Sequence, residues 1–187
     1  MKILQLIDPR MDNFSYVLYD DSKEAVIIDP SFDSKKITDA ISENNLKPKF
    51  IILTHEHFDH THSASKLKEE INVKIVADEV YSDSDIKVGG GDEIKFGESV
   101  IKIISTPGHS PGSICLLIDG NLFTGDTVFV GGCGRTDLEG SDPEEMRKSI
   151  EKIKELPDDT VIYPGHDYGG TKTTTVGKEK ENNRFFK

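Results

Sequence analysis

The sequence predicts an α/β domain in which helices cover a β-sheet, and three observations support this. Short β-branched and aromatic runs recur between residues 2 and 164, bounded by Asp, Pro, Asn, Ser and Gly. Amphipathic stretches with helical spacing follow groups of these runs. A chain of 187 residues with 35% hydrophobic content has the size and composition of one globular domain, predicted here over residues 1–187.

The strand predictions follow from β-branched content and from the turns between runs. One hairpin is expected in the second half, with Gly120-Asn121 as its two-residue turn. The predicted strands cover residues 2–7, 14–19, 24–29, 49–53, 73–77, 92–96, 100–105, 113–119, 122–126 and 159–164.

The helix predictions depend on caps and on apolar spacing. A helix is expected over 35–45, with Asp33 or Ser34 as its cap. A second is expected over 64–71, and a third over 141–156, with Ser141 or Asp142 as its cap and Pro143 in the first turn. The polar tail after residue 172 adds one short helix with a frayed end.

Charge and composition exclude several classes of function. A net charge of −11 argues against nucleic acid and anionic membranes as partners, because both require a basic surface. No apolar run approaches the roughly 18 residues of a membrane span, and the apolar N-terminal run is too short for a secretion signal. Two cysteines are too few for a disulfide framework. The predicted location is the cytoplasm.

Metal-binding residue types follow four predicted strands. Five of the six histidines stand there, whereas His62 has no such position and is expected to be exposed. Loops at the carboxyl ends of strands gather at one edge of an α/β domain, so these side chains are expected to converge. The candidate metal ligands are His55, His57, Asp59, His60, His109, Asp126 and His166.

The spacing of "HEHFDH" (residues 55–60) has a chemical reason. In an extended turn His55 and His57 point to the same side and can reach one cation. Asp59 and His60 follow where the chain begins to coil, and would face a second position. Imidazole and carboxylate ligands suit Zn, Fe or Mn, and paired ions about 3.5–4 Å apart activate a shared water.

The motifs "THEHFDH", "TPGHSPGS", "FTGD" and "YPGHD" resemble those of the metallo-β-lactamase superfamily, over nearly the whole chain. The resemblance implies an αββα four-layer sandwich with metals at one edge. In two-metal members, residues matching His55, His57 and His109 hold one ion. Those matching Asp59, His60 and His166 hold the other, and Asp126 bridges.

Two segments, "GGCGRTDLEG" and "YPGHDYGGTKTTTVGKEKENN", resemble the persulfide dioxygenase branch. This implies a single Fe(II) per chain, held by the residues matching His55, His109 and Asp126, which become the predicted catalytic residues. Two histidines and one carboxylate form the facial triad of non-haem iron oxygenases. The implied reaction oxidises a thiol persulfide, commonly glutathione persulfide, with O₂ to give sulfite and the free thiol.

Three residues near the implied metal are predicted to bind substrate, each with an alternative. Arg135 orients a carboxylate or only pairs with Asp137. Tyr168 forms a hydrogen bond near the metal or only packs under the loop. Cys133 contacts substrate or only fills space between glycines.

The alternative function is that of a hydroxyacylglutathione hydrolase (glyoxalase II), a thioester hydrolase with two Zn(II) or a mixed Zn/Fe site. That family shares the "GCG" segment and the full ligand set, but its typical members add a C-terminal helical domain. Only 21 residues (187 − 166) follow His166 here. The chain also departs from the dioxygenase pattern, since Phe58 replaces a small residue and "NNR" lacks a proline. Superfamily members of this size are often dimers or tetramers, so a homo-oligomer is a further expectation.

Overall fold

Two six-stranded β-sheets form the framework of the computed structural model, which describes residues 1–187. The first sheet contains β1 (Lys2–Asp8), β2 (Asn13–Tyr19), β3 (Glu24–Ile28), β4 (Lys47–Ile52), β5 (Lys74–Ala77) and β6 (Ile86–Lys87), side by side in chain order. The second contains β7 (Glu93–Phe96), β8 (Ser99–Ser105), β9 (Ile114–Ile118), β10 (Asn121–Gly125), β13 (Val161–Pro164) and β14 (Thr174–Thr175), in the order β14-β13-β10-β9-β8-β7. A separate two-stranded ribbon contains β11 (Val128–Phe129) and β12 (Gly132–Cys133).

Five α-helices and one 3₁₀ turn complete the chain: α1 (Ser34–Glu43), α2 (Phe58–Thr61), α3 (Ala64–Ile71), α4 (Pro143–Lys154), α5 (Val176–Asn182) and η1 (Arg184–Phe186). Strands β3 to β6 are mutually parallel, and α1 and α3 lie in the connections between them. None of the helices combines the length and the hydrophobicity needed to cross a membrane.

Three hydrophobic clusters separate the layers. The largest lies between the sheets, where Phe14, Tyr16 and Leu18 of β2 meet residues of the second sheet such as Phe123. The alternate residues Val17 and Tyr19 belong to a second cluster, with residues of α1 and α3. Because both faces of β2 are covered, all seven of its residues are buried.

The third cluster covers the outer face of the second sheet. Met146, Ile150 and Ile153 of α4 pack there with Val176 of α5. Helices therefore lie outside both sheets, and the predicted αββα four-layer sandwich is confirmed.

The helix caps agree with the sequence prediction. Asp142 precedes α4, and its carboxylate accepts hydrogen bonds from the backbone N–H groups of Glu144 (2.8 Å) and Glu145 (3.1 Å). Of the two candidate caps for α1, Asp33 serves, accepting from Lys36 N at 3.3 Å.

The prediction of the β9–β10 turn is wrong by one residue. The turn residues are Asp119 and Gly120, with φ of +48° and +72°, and Asn121 already belongs to β10, paired with Ile118. Both central residues of a type I′ turn need positive φ, which Asp and Gly adopt more readily than most residues. The short strands β6, β11, β12 and β14 were not predicted, because two residues are too few to show an alternating pattern.

Candidate metal centre

The seven candidate ligands lie together at one edge of the sandwich. His55 and His57 follow β4 directly, and the chain then turns into α2, which holds Asp59 and His60. The others follow three strands of the second sheet: His109 follows β8, Asp126 follows β10, and His166 follows β13. Six of the seven are buried, and His57 is half-buried.

The first group consists of His55, His57 and His109, whose ligand atoms all lie within 4.8 Å of one another. His57 Nδ1 lies 2.9 Å from His109 Nε2. His55 Nε2 is fully buried and has no hydrogen-bond partner. A buried polar atom without a partner costs free energy, and an ion bound at this atom would remove that cost.

The second group consists of Asp59, His60 and His166. The Nε2 atoms of the two histidines are 3.1 Å apart, and Asp59 Oδ2 lies 3.5 Å from that of His60 and 3.4 Å from that of His166. Ligand atoms at such spacings can share one ion at bond lengths of about 2.0–2.2 Å. This group therefore also has the geometry of a metal site.

Asp126 lies between the two groups. Its Oδ1 is 3.3 Å from His60 Nε2, and its Oδ2 is 3.3 Å from His166 Nε2 and 3.5 Å from His109 Nε2. Despite these short distances, Oδ1 makes no hydrogen bond. The position next to histidines of both groups is the one that a bridging carboxylate requires.

Contacts behind the histidines fix the orientation of their rings. His109 Nδ1 lies 2.9 Å from Arg135 O, and His166 Nδ1 lies 2.9 Å from Met11 O. His55 Nδ1 lies 3.1 Å from the hydroxyl of Thr54. These contacts at Nδ1 leave Nε2 directed into the centre, which is how proteins orient metal-binding imidazoles.

Two further buried residues at the site, Asp29 and Asn13, were not predicted from the sequence. Asp29 directly follows β3, accepts from Thr54 N (2.7 Å) and Thr54 Oγ1 (2.6 Å), and lies 3.1 Å from His60 Nδ1. Its position after an apolar strand was the available signal. Asn13 begins β2, and its Nδ2 donates to Asp59 Oδ2 at 2.9 Å. A polar residue at the start of a strand carries no comparable signal.

Burial and charge shift the pKa values in opposite directions at the two groups. Burial lowers the pKa of His55 well below its usual value and also lowers that of His57, so both imidazoles are neutral and able to bind a cation. At His166 burial also disfavours the charge, but hydrogen bonds to Asp126 and Asp59 outweigh it and raise the pKa to about 9. The carboxylate of Asp126 is held ionised, since nearby His60 outweighs the effect of burial on its pKa.

A cavity of about 590 Å³ opens onto the centre. Its wall beyond the ligands includes Met11, Phe58, Arg135, Leu138 and Tyr168. The adjoining pocket of about 280 Å³ brings Cys133 next to Arg135, Tyr168 and Phe129. The three predicted substrate-binding residues therefore lie close together beside the candidate metal ligands.

The structure gives each of these three side chains a definite contact. Arg135 pairs with Asp137 through two hydrogen bonds of 2.7 and 2.9 Å, and both side chains are more than 60% exposed. The ring of Tyr168 stacks on His166. Burial raises the pKa of the Cys133 thiol to about 11, so it is protonated at neutral pH. His62 is exposed, as predicted.

Comparison with known proteins identifies relatives with several activities. A probable polyketide biosynthesis zinc-dependent hydrolase (BaeB) of Bacillus velezensis is 36% identical over 183 residues, covering 93% of this chain and 81% of the relative. The mitochondrial persulfide dioxygenase ETHE1 of Mus musculus is 33% identical over 183 residues, covering 94% and 72%. Hydroxyacylglutathione hydrolase 1 of Vibrio vulnificus is 39% identical over 163 residues, but this chain spans only 63% of its length.

Solved structures show the same architecture. The crystal structure of ETHE1 from Myxococcus xanthus superposes with a TM-score of 0.94 at 33% identity, covering 98% of this chain and 84% of that one. The BLEG-1 B3 metallo-beta-lactamase superposes with a TM-score of 0.92 at 29% identity, covering 99% of both chains. The sequence also matches the metallo-beta-lactamase superfamily over residues 9–84 and 79–166. With its ligand-bearing loops gathered at one edge of an αββα sandwich, this chain belongs to the metallo-β-lactamase superfamily.

Proposed function

We propose that the protein is a persulfide dioxygenase, which uses O₂ to oxidise a thiol persulfide such as glutathione persulfide. A single Fe(II) would be held by His55, His109 and Asp126. The main support is His55 Nε2, a buried atom of this triad that has no hydrogen-bond partner, and Asp126 also has a buried oxygen, Oδ1, without one. A relative named persulfide dioxygenase ETHE1 and a solved structure named ETHE1, each 33% identical to this chain, add support.

The polar atoms of the second group have hydrogen-bond partners within the protein, so this group depends less on a bound metal ion than the first group does. Asp59 Oδ2 accepts a hydrogen bond from Asn13, and the facing Nε2 atoms of His60 and His166 are 3.1 Å apart. His60 Nδ1 contacts Asp29, and His166 Nδ1 contacts a backbone carbonyl. Because none of these atoms is orphaned, the second group is satisfied by its own contacts.

His55, His109 and Asp126 would hold Fe(II) as a facial triad, and the ion would supply the chemistry of a non-haem iron oxygenase. The net reaction is RSSH + O₂ + H₂O → RSH + H₂SO₃, in which the terminal sulfur is oxidised and the thiol is released. The cavity of about 590 Å³ gives room for a peptide-like thiol beside the triad.

Arg135 provides the positive charge in the cavity wall. Its guanidinium is exposed and pairs with the exposed carboxylate of Asp137, so a substrate carboxylate can replace that partner at low cost. On a chain of net charge −11, a local cation also reduces the repulsion of an anionic substrate. Tyr168 covers His166 on the same wall, and Cys133, as a neutral thiol, adds a small apolar surface rather than a nucleophile.

The test is metal analysis of anaerobically purified protein together with an oxygen electrode. We expect about one iron per chain, and O₂ uptake with sulfite formation when glutathione persulfide is added. Glutathione without the extra sulfur serves as the control and should give no uptake. Iron-loaded protein that consumes no O₂ with any thiol persulfide would exclude the proposed activity.

A thioester hydrolase of the glyoxalase II type is the second candidate. It is favoured by the spacing of Asp59, His60 and His166, which suits a second ion, and by hydrolase-named relatives at 36% and 39% identity. With two Zn(II) or a Zn/Fe pair, Asp126 would bridge. Two equivalents of zinc, with rapid hydrolysis of S-D-lactoylglutathione and no O₂ uptake, would favour this candidate.

A further inference from the structure

The carboxamide of Asn13 lies against the second ligand group. Asn13 is the first residue of β2 and is fully buried. Its backbone forms an isolated antiparallel bridge with His166, and the next residue, Phe14, donates from N to Gly165 O at 2.8 Å. These backbone contacts join the start of β2 to the loop that contains His166. They therefore fix the position of the Asn13 side-chain amide.

The amide nitrogen lies within hydrogen-bonding distance of all three members of the second group. Nδ2 is 2.9 Å from Asp59 Oδ2, 3.4 Å from His60 Nε2 and 3.5 Å from His166 Nε2. These three atoms are also the ones that face one another at 3.1–3.5 Å. A single NH₂ group therefore contacts the same three atoms that a second metal ion would need.

The oxygen side of the amide has no compensating contact. Asn13 Oδ1 is buried and has no hydrogen-bond partner. The orientation of the amide is therefore set by its nitrogen, chiefly through the bond to the Asp59 carboxylate. Hydrogen bonds to ionised carboxylates are stronger than those between neutral groups.

We propose that Asn13 keeps the second group free of metal, because its amide nitrogen donates to Asp59 Oδ2 and lies against the two histidine Nε2 atoms that would otherwise bind a second ion. The NH₂ group carries partial positive charge and approaches the three ligand atoms in place of a cation. An ion entering the group must break the bond between Asn13 and Asp59. Asn13 is thus a positioning residue that restricts the centre to the ion of the first group, an inference that rests on the proposed one-iron function.

The experiment measures metal affinity rather than activity. Metal-free full-length protein is titrated with Zn(II) against a chromophoric chelator, for the wild type and for Asn13→Ala and Asn13→Asp. We expect the second equivalent to bind about tenfold or more tightly in Asn13→Ala, the size of effect expected for losing one charge-assisted hydrogen bond. Asn13→Asp has nearly the same volume, replaces the donor with an anionic acceptor, and should bind the second equivalent more tightly still.

Two comparisons separate this effect from a loss of structure. The affinity of the first equivalent should stay within about twofold of the wild type, because Asn13 contacts no member of the first group. Asn182→Ala, which removes an exposed amide from α5, should change neither affinity. A second equivalent that binds no more tightly in either Asn13 variant than in the wild type would overturn the proposal.

The metal-affinity measurement does not depend on which reaction the protein catalyses. If O₂ uptake is absent but the Asn13 variants gain second-site affinity, the proposed activity fails and the role of Asn13 stands. If O₂ uptake is present and the second-site affinity of both variants is unchanged, the activity stands and the role of Asn13 fails.

Discussion

The ring of Tyr168 stacks on the imidazole of His166, with ring centroids 4.5 Å apart and an angle of 11° between the planes. Phe129 contacts both rings edge-on, at 5.3 Å from Tyr168 and 5.9 Å from His166. Tyr168 nevertheless remains 58% exposed, because its other side faces the cavity. The residue therefore covers a candidate ligand and forms part of the wall that a substrate would meet.

Replacement of Tyr168 distinguishes its ring from its hydroxyl. The contacts of Tyr168 in the structure are made by the ring, so Tyr168→Phe should keep kcat/KM within about twofold of the wild type. Tyr168→Ala removes the stacking and should lower kcat/KM about tenfold. Steady-state O₂ uptake measures both. A Phe variant as impaired as the Ala variant would assign the hydroxyl a direct contact with substrate.

Gly165 is required for close packing at the centre. A Cβ atom at this position would lie 2.3 Å from Asp126 Oδ1 and 2.9 Å from His60 Cε1. Gly165→Ala must therefore displace the Asp126 carboxylate, and bound iron should fall well below one equivalent. Gly170→Ala is the matched control, since nothing lies within 4 Å of its Cβ position. Equal iron content in the two variants would contradict this expectation.

Replacement of Asp126 and replacement of His62 should have very different effects on bound iron and on activity. Asp126→Ala removes the carboxylate of the triad, so bound iron and O₂ uptake should both be lost, as in His55→Ala and His109→Ala. His62 is exposed and its ring packs against Phe32, with ring centroids 4.9 Å apart, so His62→Ala should keep near wild-type iron and activity. Full turnover by metal-replete Asp126→Ala would refute its assigned role.

Glu179 ties the C-terminal helix to the glycine-rich loop beside the cavity. Its buried carboxylate accepts from Gly131 N (2.9 Å) and from Asn183 Nδ2 (2.7 Å), and Asn183 also donates to Gly132 O. Glu179→Ala leaves the Asn183 amide without that acceptor and should lower the free energy of unfolding by about 2–4 kcal/mol. Urea denaturation measures the change. Glu181→Ala, on the exposed side of the same helix, should change it by less than about 0.5 kcal/mol.

The Cys133 thiol should react slowly with alkylating reagents. Burial raises its pKa to about 11, against about 8.5 in an unfolded chain, so about one molecule in a thousand is a thiolate at pH 8. The labelling rate of native Cys133 with iodoacetamide, followed by mass spectrometry, should rise about tenfold per pH unit from pH 7 to pH 10. Fully buried Cys115 serves as the unlabelled control. A rate that levels off below pH 9 would show a thiolate stabilised at the site.

Local sequence patterns were sufficient to predict most elements and their caps. The aromatic and β-branched run of β2, the Asp142-Pro143 start of α4 and the apolar spacing of its inner face each depend on neighbours within a few residues. The β9–β10 turn was misplaced by one residue, because Asp119-Gly120 and Gly120-Asn121 are both acceptable turn pairs and only the strand register distinguishes them.

The sequence by itself determined which residue types stand at the ends of strands, and hence that a metal centre was to be expected. Only the tertiary structure decided how the candidate ligands are arranged in two groups. It leaves His55 Nε2 and Asp126 Oδ1 without hydrogen-bond partners, and it places Asn13 against the second group. The physical reason is distance along the chain. Asn13 and His166 are 153 residues apart, and no local pattern reports contacts that form only when two sheets pack together.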